Sequence, residues 1–318
     1  MTTNDARPLR VFQWIVPRSG STVFTKCMSF VDDTEVWMEP YYTCVMNETV
    51  KNPEWGVGIP AMDKMRALIA QFEHHEEFVA MKEKEVEMAN KYKNVFQPSD
   101  FNYPWLKKQL EIDPKDKKVV FIKDQSFAIN DRLEYLPDVP TRHTFLIRHP
   151  QEVYTSLKHI CTNNVDFLTL PWDEFHLGND LPYLPIKDLF KIHRDHWKFV
   201  KENLDPDTVI IDSFDLTSKP EAILPKYLKN LGIPFKESYL QWEGDPELVF
   251  SSWRGSSEAV LTAPQTKVTG RAVESTRFDP PKYPRGTSRP EWKITDELKE
   301  YIEGAMPYYE EMYANRLI

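Results

Sequence analysis

The sequence predicts an α/β fold of three layers, with a central, mainly parallel sheet between two layers of helices. Three observations predict it. Apolar, strand-like runs alternate along the chain with stretches of helical length. Two of these strands, 10–16 and 143–147, each lead through a short polar loop into a helix-compatible stretch. No Gly/Ser linker or low-complexity tract interrupts the 318 residues, so we expect a single domain over 1–318.

Local sequence patterns predict each strand and helix along the chain. Val11 to Val16 form the first apolar run, and a helix follows among small residues. A long second helix is predicted because apolar residues from Met62 to Phe72 recur at helical spacing, and the charges from His74 to Lys93 indicate a solvated face. The predicted strands are 10–16, 35–38, 117–122, 143–147 and 207–212. The predicted helices are 21–31, 61–93, 100–110, 126–134, 150–162, 186–203, 217–230 and 294–314.

Three segments are expected outside regular structure. Residues 1–8 are expected to be disordered. The segment 163–188 combines aromatic residues with prolines. Such a long irregular stretch within a domain usually has a functional role. Prolines cluster again in 279–290, which predicts a loop before the last helix.

Composition favours an intracellular protein. The three cysteines, Cys27, Cys44 and Cys161, do not make a disulfide framework in a chain of this size. The N-terminus lacks the apolar segment of a signal peptide, and no apolar run reaches membrane-spanning length. We therefore expect a cytoplasmic protein without a membrane partner. The net charge of −9 argues against a nucleic-acid partner.

A loop of small residues after the first strand predicts an anion site. Residues 17–24 read Pro-Arg-Ser-Gly-Ser-Thr-Val-Phe. In a strand–loop–helix unit the backbone N–H groups and the positive end of the helix dipole converge on one point. Arg18 adds a permanent charge, and the neighbouring hydroxyls add donors. The loop lacks the Gly-x-x-x-x-Gly-Lys-Ser/Thr spacing of ATP- and GTP-binding loops.

A second anion site is predicted at the end of the strand 143–147. Arg148 follows this strand, Pro150 suits the first turn of a helix, and Ser156 lies about two turns further on. Ligands of open α/β sheets bind beyond the carboxyl ends of the strands. Arg148 is therefore expected on the same rim as the loop 17–24.

The two sites together resemble those of the sulfotransferases that use 3′-phosphoadenosine 5′-phosphosulfate (PAPS), which have a P-loop-type fold. Weaker matches are the segment 36–40, which ends in Glu-Pro as in one soluble branch of that family, and the segments 211–216 and 231–235. The resemblance runs from about residue 9 to residue 316. It implies that the donor is bound by Arg18, Ser19, Gly20, Ser21 and Thr22 at the 5′-phosphosulfate and by Arg148 and Ser156 at the 3′-phosphate.

The resemblance also suggests catalytic residues. Arg18 and Lys123 are expected to stabilise the leaving phosphate. Cytosolic members carry a catalytic His two positions after the Lys, but here Gln125 stands there and cannot take a proton. Glu39 is therefore the first candidate for the base, and Asp124 is the second. The candidates in reserve are His149, His159 and His176.

A carboxylate base needs an apolar surround, which Trp37, Tyr41 and Tyr42 could supply to Glu39. No metal is expected to be required. His193 and His196 lie three residues apart on a predicted helix, but they have no acidic or Cys partner at recognisable spacing and are expected to be surface or core histidines.

The predicted function is in-line transfer of a sulfuryl group from PAPS to a hydroxyl or amine of a small-molecule acceptor, releasing adenosine 3′,5′-bisphosphate. The acidic net charge favours an acceptor that is neutral, apolar or cationic. Two alternatives stay open. The chain could be a nucleotide-binding protein on a catalytically degenerate scaffold, with Gln125 as the sign of lost activity, or a small-molecule kinase. The acceptor's identity and the oligomeric state are left open.

Overall fold

Seven parallel strands form the centre of the part of the chain that the structure describes. This computed structural model describes residues 7–49, 63, 67, 70, 73–163, 171–262, 264, 266 and 269–318. The strands are β1 (Leu9–Ile15), β2 (Thr34–Met38), β3 (Val95–Phe96), β4 (Val119–Gln125), β5 (Thr141–Ile147), β6 (Val209–Asp212) and β7 (Trp253–Ser256). Their order is β3-β7-β2-β4-β1-β5-β6, and each neighbouring pair is parallel.

Helices connect these strands and cover the sheet. They are α1 (Ser21–Ser29), α2 (Pro40–Glu48), α3 (Glu76–Lys91), α4 (Tyr103–Glu111), α5 (Pro150–Asn163), α6 (Leu177–Asp180), α7 (Leu189–Asn203), α8 (Ser213–Ser218), α9 (Pro220–Asn230), α10 (Pro246–Ser252), α11 (Gly270–Val273) and α12 (Asp296–Ala314). A single π-helical turn spans Glu258–Thr262, and short 3-10 turns lie at Pro98–Asp100, Ser126–Ala128, Leu133–Tyr135, Ile186–Asp188 and Glu237–Leu240. No helix of the described residues is both long and apolar enough to cross a membrane.

Two hydrophobic cores lie on opposite faces of the sheet, and β1 shows how one strand serves both. Phe12 and Trp14 point into the core that also contains buried residues of α4, α5, α7 and α12. Val11 and Ile15 point into the core formed with α1 and α9. Successive side chains of a strand alternate between faces, and a parallel sheet is buried on both. The predicted three-layer α/β fold is therefore confirmed.

All five predicted strands are present, with shifted ends. The change that matters most is in β4, which continues to Gln125 instead of ending at 122. The short edge strands β3 and β7 were not predicted, because β3 has two residues and β7 reads Trp-Arg-Gly-Ser without an apolar run. The helices α2, α6, α10 and α11 were not predicted either.

The predicted helix 126–134 is wrong. Two 3-10 turns stand there, and between them the side chains of Asn130 and Asp131 hydrogen-bond to each other at 3.0 Å. Short polar side chains of this kind favour turns over helix. The predicted helix 217–230 is two helices, because Pro220 has no N–H to continue α8 and instead starts α9.

Several predictions fall partly outside the described residues. The predicted helix 61–93 is not continuous, because residues 73–75 are not helical and His75 caps α3. The apolar residues on which the prediction rested lie outside the described residues: Met62, Met65, Leu68, Ile69 and Phe72. Residues 1–6 of the segment expected to be disordered and 164–170 of the aromatic segment are also outside. The prediction of one domain over the whole chain stays a prediction.

Three histidines are buried in the core that contains Trp14. Trp14 Nε1 donates to His143 Nδ1 at 2.9 Å, and Ser126 Oγ lies 2.6 Å from His193 Nδ1. Neither ring nitrogen of His196 has a hydrogen-bond partner among the described residues. Burial lowers the pKa of His143 to about 4 and that of His193 to about 3, and it lowers the pKa of His196 well below its usual value. The three rings are therefore neutral in the folded protein near neutral pH.

The buried histidines predict loss of stability in acid. Because their folded pKa values lie below the unfolded value of about 6.5, the folded state is fully stable above that pH and weakens as the pH falls through it towards 4. Each group can add a slope of up to about 1.4 kcal/mol per pH unit. Replacing His196 by Phe should therefore flatten the fall in unfolding free energy between pH 7 and pH 5, measured by urea denaturation. His74→Phe, at an exposed site, is the control. Parallel curves for wild type and His196→Phe would contradict this account.

Candidate functional site

The loop between β1 and α1 has the form of an anion cradle. Gly20 lies at the start of α1 with φ +80°, and no side chain of the described residues caps the first N–H groups of this helix. A Cβ at Gly20 would meet Ser213 Oγ at 3.0 Å, so both the backbone angle and the close approach require glycine. The hydroxyl of Ser19 is buried and has no hydrogen-bond partner among the described residues. The loop therefore presents unpaired donors at a helix N-terminus.

Arg148 and Ser156 lie directly beside this loop. Arg148 follows β5, which pairs in parallel with β1, so its side chain reaches the same edge of the sheet. Its Nη1 donates to the backbone oxygen of Arg18 at 2.8 Å. Arg18 in turn donates from Nε to Ser156 Oγ at 3.3 Å. The structure thus brings together the two anion sites that the sequence placed on one rim.

The electrostatics of this contact favour an anion. Burial, first, and the nearby charge of Arg148, second, lower the pKa of Arg18 to about 10. Two guanidinium groups held close together in a partly desolvated place repel each other, and a bound anion relieves that repulsion. The arrangement therefore favours an anionic ligand.

Glu39 pairs with Lys123 at the carboxyl ends of β2 and β4. Met38 lies opposite Lys123 in the sheet, and the Glu39 N–H donates to the Lys123 oxygen at 2.8 Å. The Lys123 ammonium, almost fully buried, donates to Glu39 Oε1. The other carboxylate oxygen of Glu39 has no partner among the described residues, and the side chain is 17% exposed. Glu39 is thus held in place with one oxygen open to a ligand.

Backbone conformation marks two of these residues. Among the described residues, four other than glycine have positive φ, and two of the four are Arg18 at 66° and Glu39 at 49°. Such conformations cost of order 1 kcal/mol or more and are concentrated at functional sites. At Glu39 the left-handed conformation turns the chain from β2 into α2, where Pro40 takes the first helical position.

Asp124, the second candidate for the base, is bound to backbone N–H groups in the interior of the protein. It is fully buried, and its carboxylate accepts the N–H groups of Tyr41, Tyr42 and Gln125. Burial, first, and the charge of Glu39, second, raise the pKa of Asp124 to about 8, while these three bonds oppose the rise. Since two of the donors belong to the first turn of α2, Asp124 caps that helix from the neighbouring strand.

The remaining candidates have other contacts. Gln125 is buried, and its side-chain oxygen has no partner among the described residues. His149 packs edge-on against Tyr309, whose ring centre is 5.3 Å away. His159 stacks on Trp292 at 4.6 Å, and His176 Nδ1 lies 3.4 Å from a Glu297 oxygen. Each reserve histidine is thus held by a contact of its own.

Of the three aromatic residues expected around Glu39, Tyr42 has a pKa that the charge of this carboxylate helps to raise. Tyr41 donates its hydroxyl to the Tyr135 oxygen at 2.9 Å within the core, and Trp37 Nε1 donates to Glu35. Tyr42 differs, because burial, then Tyr183, then the charge of Glu39 raise its pKa well above the usual value. Its ring meets Phe127 edge-on at 6.0 Å. Tyr42, in the first turn of α2 after Glu39, thus packs against a second aromatic ring.

The sequence did not point to Glu152 or to the segment around Gly286. Glu152 accepts from Arg148 Nε at 2.9 Å and from the Gly286 N–H at 3.0 Å. The spacing of four residues between Arg148 and Glu152 at the start of a helix could have indicated the first contact. Gly286 lies too far along the chain for any local pattern to show the second.

Comparisons with known proteins give sulfotransferase structures and one plant protein. The sulfotransferase domain of the Synechococcus PCC 7002 olefin synthase is 17% identical, with a TM-score of 0.44 over 95% of this chain and 96% of that domain. A mouse sulfotransferase complexed with PAP is 12% identical, with a TM-score of 0.40 over 98% and 85%. A sulfotransferase from Mycobacterium avium is 13% identical, with a TM-score of 0.43 over 99% and 78%.

In sequence, no family model matches the chain. The Arabidopsis thaliana protein called branched-chain-amino-acid aminotransferase-like protein 2 is 26% identical over 239 residues, which are 74% of this chain and 32% of that protein. The chain thus spans about a third of the length of this curated relative.

The position of Asp124 predicts a structural effect of its replacement. In Asp124→Asn the amide group would face backbone N–H donors, so at least one buried donor loses its acceptor. We expect a loss of about 1–3 kcal/mol of unfolding free energy, measured by urea denaturation. Asp245→Asn is the matched control, because Asp245 caps α10 at an exposed site. Unchanged stability of Asp124→Asn together with a large loss of turnover would instead make Asp124 the base.

Proposed function

We propose that the chain is a sulfotransferase that moves a sulfuryl group from PAPS to a hydroxyl or amine of a small-molecule acceptor. One observation carries the proposal. The loop 17–22 and the pair Arg148 and Ser156 form one continuous cationic site, joined by the contacts of Arg18 with both. A nucleotide with phosphate groups at its 3′ and 5′ positions has the charge distribution that such a site would bind.

The donor would lie across the ends of β1 and β5. The N–H groups at the start of α1, the Ser19 hydroxyl and Arg18 would bind the 5′-phosphosulfate, together with Ser21 and Thr22. Arg148 and Ser156 would bind the 3′-phosphate. The buried, unpaired Ser19 hydroxyl and the uncapped helix supply donors that the folded chain does not itself use, which supports this assignment.

Transfer would need a base on the acceptor and stabilisation of the leaving phosphate. Glu39 would take the proton from the acceptor as the new bond to sulfur forms and the bond from sulfur to the phosphate oxygen breaks. Lys123 holds Glu39 in position and would lie next to the developing charge. Arg18 and the N–H groups of α1 would stabilise the adenosine 3′,5′-bisphosphate that leaves. With these donors in place we expect no metal to be required.

The acceptor is proposed to be neutral, apolar or cationic. The aromatic pair of Phe127 and Tyr42, which lies three residues after Glu39, supports an acceptor with an apolar body. We further propose that the chain acts in the cytoplasm and binds no nucleic acid.

Simple assays distinguish two alternative functions from sulfuryl transfer. Gln125 stands where a catalytic His is common, and its side-chain oxygen has no partner among the described residues. This supports a nucleotide-binding protein without transferase activity. Tight binding of the bisphosphate with no transfer to a broad panel of acceptors would favour that reading. ATP turnover that depends on magnesium would favour a kinase.

Glu39→Gln tests the base. The amide keeps the shape of the side chain but cannot accept a proton, so turnover should fall roughly 10²–10⁴-fold. Affinity for adenosine 3′,5′-bisphosphate, measured by calorimetry, should stay within a few-fold of wild type. Glu48→Gln, at the far end of α2, is the matched control. Near-normal turnover in Glu39→Gln would reject Glu39 as the base.

Arg148→Ala tests the second anion site. Loss of the guanidinium should weaken binding of adenosine 3′,5′-bisphosphate by roughly tenfold or more and that of adenosine 5′-phosphate much less, because only the first carries the group that Arg148 would bind. Titration calorimetry with both nucleotides measures the difference, and Arg277→Ala at a surface ion pair is the control. Equal losses for the two nucleotides would dismiss Arg148 as a 3′-phosphate ligand.

A further inference from the structure

A single carboxylate joins the second anion site to the proline-rich segment before α12. Glu152 lies in the first turn of α5 and is 12% exposed. One of its oxygens accepts from Arg148 Nε at 2.9 Å, and the other accepts from the Gly286 N–H at 3.0 Å. The two donors come from positions 138 residues apart, and no other described residue contacts both in this way.

The bond to Glu152 helps to fix the orientation of the Arg148 guanidinium group. Nε is bound to Glu152 and Nη1 to the backbone oxygen of Arg18, while Nη2 has no partner among the described residues. A planar guanidinium held at two of its three nitrogens cannot rotate, so the third nitrogen points in one direction. Arg148 is therefore oriented before any ligand arrives.

Residues 284–287, which we call the strap, are anchored by the side chain of Arg285 as well as by the contact with Glu152. Arg285 bonds with Asp215 and lies 3.1 Å from Asp212, and its guanidinium lies over the ring of Tyr313. Gly286 has φ +76°, and a Cβ there would meet the His149 ring at 3.0 Å. The strap is thus fixed to the end of β6 by Arg285 and to α5 by Glu152.

Electrostatic attraction of an anion does not explain why the carboxylate of Glu152 lies beside Arg148. A carboxylate beside Arg148 neutralises part of the positive charge there and repels a bound phosphate, so it should weaken anion binding. A positioning role explains it better, since pre-orientation of a ligand-binding group reduces the entropy lost on binding. The two accounts predict opposite signs when the charge is removed.

We propose that Glu152 is a positioning residue that orients Arg148 for the 3′-phosphate and ties the strap to the nucleotide site. The identity of the ligand rests on the proposed function above, whereas the tie between Glu152 and the strap does not. Glutamine has the shape of glutamate but only one acceptor oxygen, so in Glu152→Gln one of the two donors must lose its partner.

Calorimetry with two nucleotides tests the orientation of Arg148. In Glu152→Gln the preference for adenosine 3′,5′-bisphosphate over adenosine 5′-phosphate should fall about tenfold, roughly the effect of one charge-assisted hydrogen bond. Glu221→Gln, which removes an exposed first-turn acid from α9, should leave the preference unchanged. In the Arg148→Ala background, Glu152→Gln should cause no further loss of preference. An unchanged or greater preference in Glu152→Gln, or additive losses in the double variant, would overturn the proposal.

Hydrogen exchange tests the strap without any ligand. Amides of residues 285–287 should exchange at least several-fold faster in Glu152→Gln than in Glu221→Gln, and equal rates would overturn the tie. If wild type itself shows no preference for the 3′-phosphate, the proposed function fails while the exchange rates still decide the role of Glu152.

Discussion

Parallel hydrogen bonding of β1 with β4 on one side and β5 on the other is the constraint on which the candidate site depends. Ile15 lies opposite Gln125 and opposite Leu146, so these three strands end at one level. The loop after β1, the Lys123 region of β4 and Arg148 after β5 are therefore brought to the same edge. Pairing of β2 with β4 adds Glu39 to this edge. None of these residues needs to be near another in sequence.

The N-termini of two helices also shape the candidate site. The start of α1 is left uncapped beside the buried Ser19, whereas the start of α2 is capped by Asp124 from β4. The same backbone chemistry serves stability at α2, and in the proposed function it would serve ligand binding at α1. The difference lies in whether a protein carboxylate already occupies the N–H groups.

Charge in the site is balanced by two different acids. Glu39 neutralises Lys123, and Glu152 bonds to Arg148, while Arg18 is held against Ser156 next to a like charge. Each acid also ties together two elements, since Glu39 joins the ends of β2 and β4 and Glu152 joins α5 to the strap. Removing either acid would therefore change geometry as well as charge.

Local sequence determined the elements that carry strong patterns. Three patterns were enough to predict the three-layer fold and to place Arg18 and Arg148 on one rim: the apolar runs of β1 and β5, the small-residue loop at 17–24 and the proline at the start of α5. Only the tertiary structure assigned Asp124 to the cap of α2 and brought Gly286 to Glu152. The reason is physical: periodicity and turn chemistry act over a few residues, whereas hydrogen bonds across 80 to 140 residues depend on how strands and helices pack.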